Sequence, residues 1–241
     1  MNTTRRIKSF IGAMTLASVS LAGYAAFANH ALHIYLAFAV LALAAATSRM
    51  KVKLPGINGN MSVNLPFLLT AVVNLSTAEA VAITCVSTAV QCWPRKNAKL
   101  NPQQMLFNLS MMAFASSAAS LTFHANGLPQ IWHSNPLGLV LATATLFLGQ
   151  TAPVAAIVAV SEGKSPAQVW FNLAQLSFPL YVVSAGITSM VQAMSSHLGW
   201  GLALAVFPVM YGIHRSYKLY FSGLAESMRP EVLARSAGAG A

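Results

Sequence analysis

The chain contains no aspartate, and its whole acidic complement is four glutamates. No catalytic constellation is apparent among them. Charge is scarce altogether: 7% of the 241 residues are charged, against about 25% in ordinary soluble domains. A soluble chain of this size would lack the polar surface to cover its core. Cysteine is limited to Cys85 and Cys92. Seven positions on a helix is about 10 Å along its axis, and a disulfide needs Cα atoms within about 7 Å. The pair therefore reads as two buried free thiols, and two cysteines alone make no metal site. The six histidines are scattered. His30 and His33 are three apart, but no third ligand accompanies them. No phosphate loop or nucleophile elbow occurs. The sequence thus predicts no enzyme, no cofactor and no metal.

What is present is apolar length. Hydrophobic residues make up 56% of the chain, and the mean hydropathy is +0.61. Apolar runs cover about 9–28, 32–47, 62–76, 77–93, 103–123, 137–161, 167–191 and 199–214. A membrane helix needs about 20 such residues. In lipid a helix satisfies its own amides, and none of these runs shows the period-two pattern of a barrel strand. The expected fold class is all-α, a polytopic transmembrane helical bundle of about eight spans. Residues 1–221 form that membrane domain, and 222–241 a short, disordered cytoplasmic tail.

The formal charge of +10 comes from 14 Lys and Arg. They sit in small clusters between apolar runs, not along one groove or helix face, so no nucleic-acid partner is expected. With eight spans every one of them falls on the side of the N-terminus, from Arg5, Arg6 and Lys8 to Arg229 and Arg235. The opposite loops hold none. The bias of positive residues to the cytoplasm then predicts an N-in, C-in protein of a bacterial inner membrane. Trp93 and Trp170 fall near the cytoplasmic interface, Trp132 and Trp200 near the outer one. Ala26-Phe27-Ala28 has the form of a signal-peptidase site. The apolar stretch before it is longer than a signal core, so the first span is expected to stay.

Two stretches resemble each other. Thr77 to Ser87 parallels Thr151 to Ser161, and each is followed across a loop by a Phe-Asn pair, Phe107-Asn108 and Phe171-Asn172. Duplicated units are common in membrane transport folds, though an Ala/Val-rich chain also generates such likeness by chance. The repeat leaves two readings of 137–161: a single span, or one broken near Gln150 and Pro153.

Polar groups in lipid mark packing or function. Asn172 and Gln175 are three apart and share a helix face, and Asn108 holds the equivalent place in the first unit. The functional reading is a ligand pocket lined by Asn64, Asn108, Asn172 and Gln175, reached from the outer face. The alternative is ordinary inter-helix hydrogen bonding, worth about 0.6 kcal/mol per contact. Glu79, the acid near the outer face, is read as a cap after Ser76 or Thr77 or as a proton or cation site. Residues 54–62, with Pro55, Gly56 and Gly59, form a simple turn or a re-entrant loop. In the first helix Ser9, Ala13 and Ala17, and Ser18, Ala22 and Ala26, repeat every four residues, a pattern that lets a partner helix approach closely.

The run Leu54-Pro-Gly-Ile with Met61-Ser-Val-Asn64-Leu-Pro-Phe-Leu-Leu, then Leu106-Phe-Asn108, Val158 to Ser165 with Val169-Trp170, and Arg215-Ser-Tyr-Lys-Leu-Tyr220 carry a resemblance. Over roughly residues 30–225 the chain resembles the membrane-embedded N-terminal sensory regions of bacterial HD-GYP and GGDEF signalling proteins. The resemblance implies a membrane input domain. Such proteins continue after this point into an output domain, whereas here only Phe221 to Ala241 follow, so a standalone version is expected. At the level of architecture the chain is also similar to the substrate-binding subunits of energy-coupling vitamin transporters. The sequence thus predicts a non-enzymatic, sensor-like or small-ligand-binding membrane domain acting through a protein partner. The alternatives are a substrate-binding transporter component and a structural accessory subunit.

Overall fold

The computed structural model describes residues 3–28, 33–53, 60–94, 100–124 and 135–198, with single positions near the C-terminus. Of the eighth expected span, 199–214, only Pro208, Tyr211 and Gly212 are described, and the tail from 222 lies outside the described residues. Seven helices occur among them: α1 (Thr3–Ala28), α2 (Ile34–Ser48), α3 (Leu65–Asn74), α4 (Thr77–Cys92), α5 (Pro102–Phe123), α6 (Asn135–Glu162) and α7 (Pro166–Leu198).

Helix ends follow local chemistry. Asn101 caps α5, its side chain accepting from the Gln104 amide, and Pro102 takes the first helical position, where a missing N–H costs nothing. Ser76 and Glu79 form a reciprocal capping box at the start of α4. Helix α6 ends at Gly163, whose φ of 66° is the left-handed conformation that a chain-reversing cap requires. That helix is unbroken: it runs 28 residues through Gln150 and Pro153, which settles 137–161 as one helix.

Four helices are long and apolar enough to cross a membrane, in α1, α5, α6 and α7. The other three are shorter, with 15, 10 and 16 residues in α2, α3 and α4. Helix α3 departs most from the expected span over 62–76. Ten residues rise about 15 Å, half of a hydrocarbon core of about 30 Å. It is also enclosed: eight of its ten residues are buried. Helices α2, α4, α5 and α7 pack around it. Of the expected turn or re-entrant loop over 54–62, residues 54–59 lie outside the described residues, and the flanking segments form a short ladder. Lys51–Lys53 (β1) and Asn60–Ser62 (β2) pair antiparallel, with Val52 opposite Met61.

Burial is inverted relative to a water-soluble protein. Leu16, Phe27, Phe38, Phe171, Phe178 and Val182 are among the large apolar side chains left exposed. The buried polar residues are serines and threonines together with Asn64, and none is charged among the described residues. Their hydroxyls donate back into their own helices, as Thr84 to the Ala80 carbonyl at 2.6 Å and Ser184 to that of Leu180 at 2.6 Å. This hides the polar group and leaves a small side chain at the contact. An apolar exterior around an apolar core interspersed with small, self-bonded hydroxyls suits lipid as the solvent. Together with the four long apolar helices it defines a helical membrane protein.

Helix α5 is central, packed on α1, α4 and α6, while α7 packs on α6 and α3. Hydroxyl contacts join several of these neighbours: Thr15 to Ser110 at 2.9 Å between α1 and α5, and Thr77 to Ser120 at 2.8 Å between α4 and α5. Thr188 on α7 donates to the Pro66 carbonyl of α3 at 3.3 Å.

Candidate functional site

A cavity of about 430 Å³ lies between α1, α3, α4, α5, α6 and α7. It begins among exposed residues at the start of α5, Asn101, Gln103 and Gln104, and ends at buried Tyr181 and Asn64. Its mouth is therefore at the end of the bundle where α1 and α5 start and α4 and α6 finish. That is the end of Arg5, Arg6, Lys8 and Lys164, opposite to the outer-face entry expected from the sequence.

Its polar lining is almost wholly carboxamide and hydroxyl. No charged side chain lines it among the described residues. Asn64 stands at the N-cap position of α3 and is 5% exposed. Its main-chain carbonyl accepts from Phe67 and Leu68 at 3.1 and 3.2 Å. Its side chain makes no capping bond and lines the cavity. Asn108 uses one amide hydrogen on the Cys92 sulfur at 3.3 Å, which leaves its carbonyl oxygen free for the cavity. On α6 the Gln150 carbonyl oxygen accepts from the Tyr181 hydroxyl. The amide nitrogen of Gln150 is buried and has no partner. Tyr181 is fixed by its ring, which meets the Phe147 edge at 5.0 Å and 81°. One turn on, Thr151 accepts from the Trp170 indole at 3.1 Å. Apolar walls come from Leu65, Leu68, Phe107, Met111 and Met112.

Of the five residues singled out from the sequence, the structure brings Asn64 and Asn108 into one cavity. The other three lie elsewhere. Asn172 and Gln175 are exposed on α7, one turn apart and turned away from the bundle. The reason is packing: α5 is enclosed by three helices, whereas α7 presents this face to none of the described elements. The two Phe-Asn pairs thus occupy similar places in the sequence and opposite environments in the fold. Glu79 sits at the far end of the bundle. One carboxylate oxygen accepts from the Ser76 amide and hydroxyl at 3.0 and 2.7 Å, the other from the His33 amide at 2.8 Å. It joins the start of α4 to the residue before α2, so its cap reading is the one the geometry carries.

Gln150, Gln104, Cys92 and Tyr181 are cavity residues that the sequence reading did not place there. Gln150 and Tyr181 are 31 positions apart on different helices, so no spacing rule links them. Gln104 had a signal, since it lies four residues before Asn108 on the same helix face.

The small-residue stripes of α1 divide. Ser18 is buried, whereas Ser9, Ala13 and Ala17 are exposed. Among the described residues no cluster of His, Cys, Asp or Glu is large enough to hold a metal ion. Comparison with known protein families, with curated proteins and with solved structures finds no match to this chain.

Proposed function

We propose that this chain is a non-enzymatic integral membrane protein of a bacterial inner membrane, oriented N-in and C-in, that binds a small molecule in the carboxamide-lined cavity and passes its occupancy to a protein partner. The observation that carries this reading is the Gln150 amide nitrogen, buried and without a partner beside a cavity that Asn64 and Asn108 also line. A buried polar group without a partner costs about 1–3 kcal/mol. Such a group in the wall of a cavity is one that a ligand would complete. The positive residues at the cavity end make its mouth cytoplasmic by the positive-inside bias. The exposed Ser9, Ala13 and Ala17 face of α1 is the surface offered to the partner. The sensory-region likeness agrees with such a role.

A second reading, a substrate-binding component of a transporter, is favoured by α3. A helix of half-membrane length whose first residues line a cavity is a recurrent device of transport proteins.

Native mass spectrometry of the protein released from membranes tests the first reading. The expected result is a small-molecule adduct that disappears in Asn64→Leu. An adduct that persists unchanged, or none from membranes of the source cells, overturns it. Uptake by proteoliposomes separates the second reading from the first.

A further inference from the structure

The cavity constrains its ligand more narrowly than size alone. An ionised ligand would enter a site with no charge of either sign in its lining among the described residues, and an unpaired charge taken from water is costly. The head of the ligand is therefore neutral. The free polar atoms also have a pattern. Gln150 offers a hydrogen-bond donor, Asn108 an acceptor, and Asn64, in the same lining, carries one of each. A carboxamide that offers both is complementary to another amide edge, the same bidentate logic by which Asn and Gln read an adenine edge. The walls are flat and soft: the Phe107 ring, the Met111 and Met112 thioethers and two leucines of α3. Such surfaces take a planar ring. The volume of about 430 Å³ exceeds one ring, and the surplus lies toward the exposed Asn101 and Gln103, so a substituent on the ring would point at the mouth.

We infer that the cavity binds a flat, uncharged ring bearing an amide or lactam edge, the chemistry of nucleobases and of nicotinamide, inserted edge-first toward Asn64, Asn108 and Gln150. This rests on the ligand-binding reading above.

Three isosteric probes test it on the full-length protein in detergent micelles, by saturation-transfer NMR titration. Nicotinamide carries the amide edge. The compound 3-acetylpyridine keeps the ring and carbonyl but has no N–H donor. Nicotinate keeps the ring and carries a charge. Nicotinamide is expected to bind at least tenfold more tightly than either of the others, and uracil tenfold more tightly than 1,3-dimethyluracil. Asn108→Leu, which removes an acceptor, should weaken nicotinamide about tenfold while 3-acetylpyridine is unaffected, and Asn64→Leu, which removes a donor and an acceptor, should weaken both, nicotinamide the more. Retained 3-acetylpyridine binding shows that the cavity is still formed, and one folded variant suffices. If 3-acetylpyridine or nicotinate binds as well as nicotinamide, the amide-edge class is overturned and the ligand-binding reading stands. If no probe binds, the amide-edge class is overturned, and the ligand-binding reading stands or falls on the mass-spectrometric adduct alone.

Discussion

Gly149 on α6 lies directly against Ala115 on α5: a β-carbon placed on Gly149 would stand 2.8 Å from the Ala115 β-carbon. The contact is closer than any side chain permits, and the next residue is Gln150, so this crossing sets how deeply the carboxamide reaches into the cavity. Gly149→Ala is expected to force the two helices apart and destabilise the protein by about 1–3 kcal/mol, as overpacking does. Gly23 on α1 has open space around it, and Gly23→Ala should be neutral or stabilise by up to about 1 kcal/mol through helix propensity. Thermal unfolding in detergent reads both. Equal effects at the two glycines would contradict the close crossing.

Glu79 is expected to matter for stability and not for the cavity. It is hydrogen-bonded at both carboxylate oxygens to Ser76 and His33. Glu79→Ala removes half of the capping box and the link to α2, at a cost of about 0.5–2 kcal/mol. Nicotinamide titration of the folded variant should be unchanged. A loss of binding without a loss of stability would restore Glu79 as a ligand residue.

Tyr181→Phe keeps the ring against Phe147 and deletes the hydroxyl donated to Gln150. It leaves the whole Gln150 carboxamide without a protein partner. The expected loss is about 1–3 kcal/mol of stability in the empty protein, partly recovered on adding a ligand that pairs with Gln150. Chemical unfolding with and without the ligand measures the difference.

Asn172→Leu and Asn108→Leu separate the two Phe-Asn repeats. Asn172 is exposed and Asn108 lines the cavity. The first substitution should leave nicotinamide affinity unchanged, the second should lower it about tenfold. The reverse order would place the site on the outer face of α7.

Orientation has its own test. Cys92 lines the cavity. In a Cys85→Ser background a membrane-impermeant maleimide should label Cys92 in inverted membrane vesicles and not in right-side-out cells. Labelling from outside would reverse the topology.

The sequence by itself determined the class of this protein. Apolar runs separated by basic clusters have one stable form in lipid, the helix, because nothing else there satisfies the backbone. The local marks were legible for the same reason: Ser76 three residues before Glu79, and the chain break between Asn74 and Thr77, act over a single turn. Tertiary structure decided which polar residues meet. Asn108 and Asn172 share the neighbours Phe-Asn-Leu, yet one lies half-buried on α5, which packs on α1, α4 and α6, and the other is exposed on α7, because burial depends on which helices lie alongside. It also decided that 62–76 makes a ten-residue helix behind a β-hairpin, since a short helix survives there only by being surrounded. The pairing of Tyr181 with Gln150 belongs to the same class. Two residues on separate helices come together through the rotation of each helix about its axis, and no local pattern records that rotation.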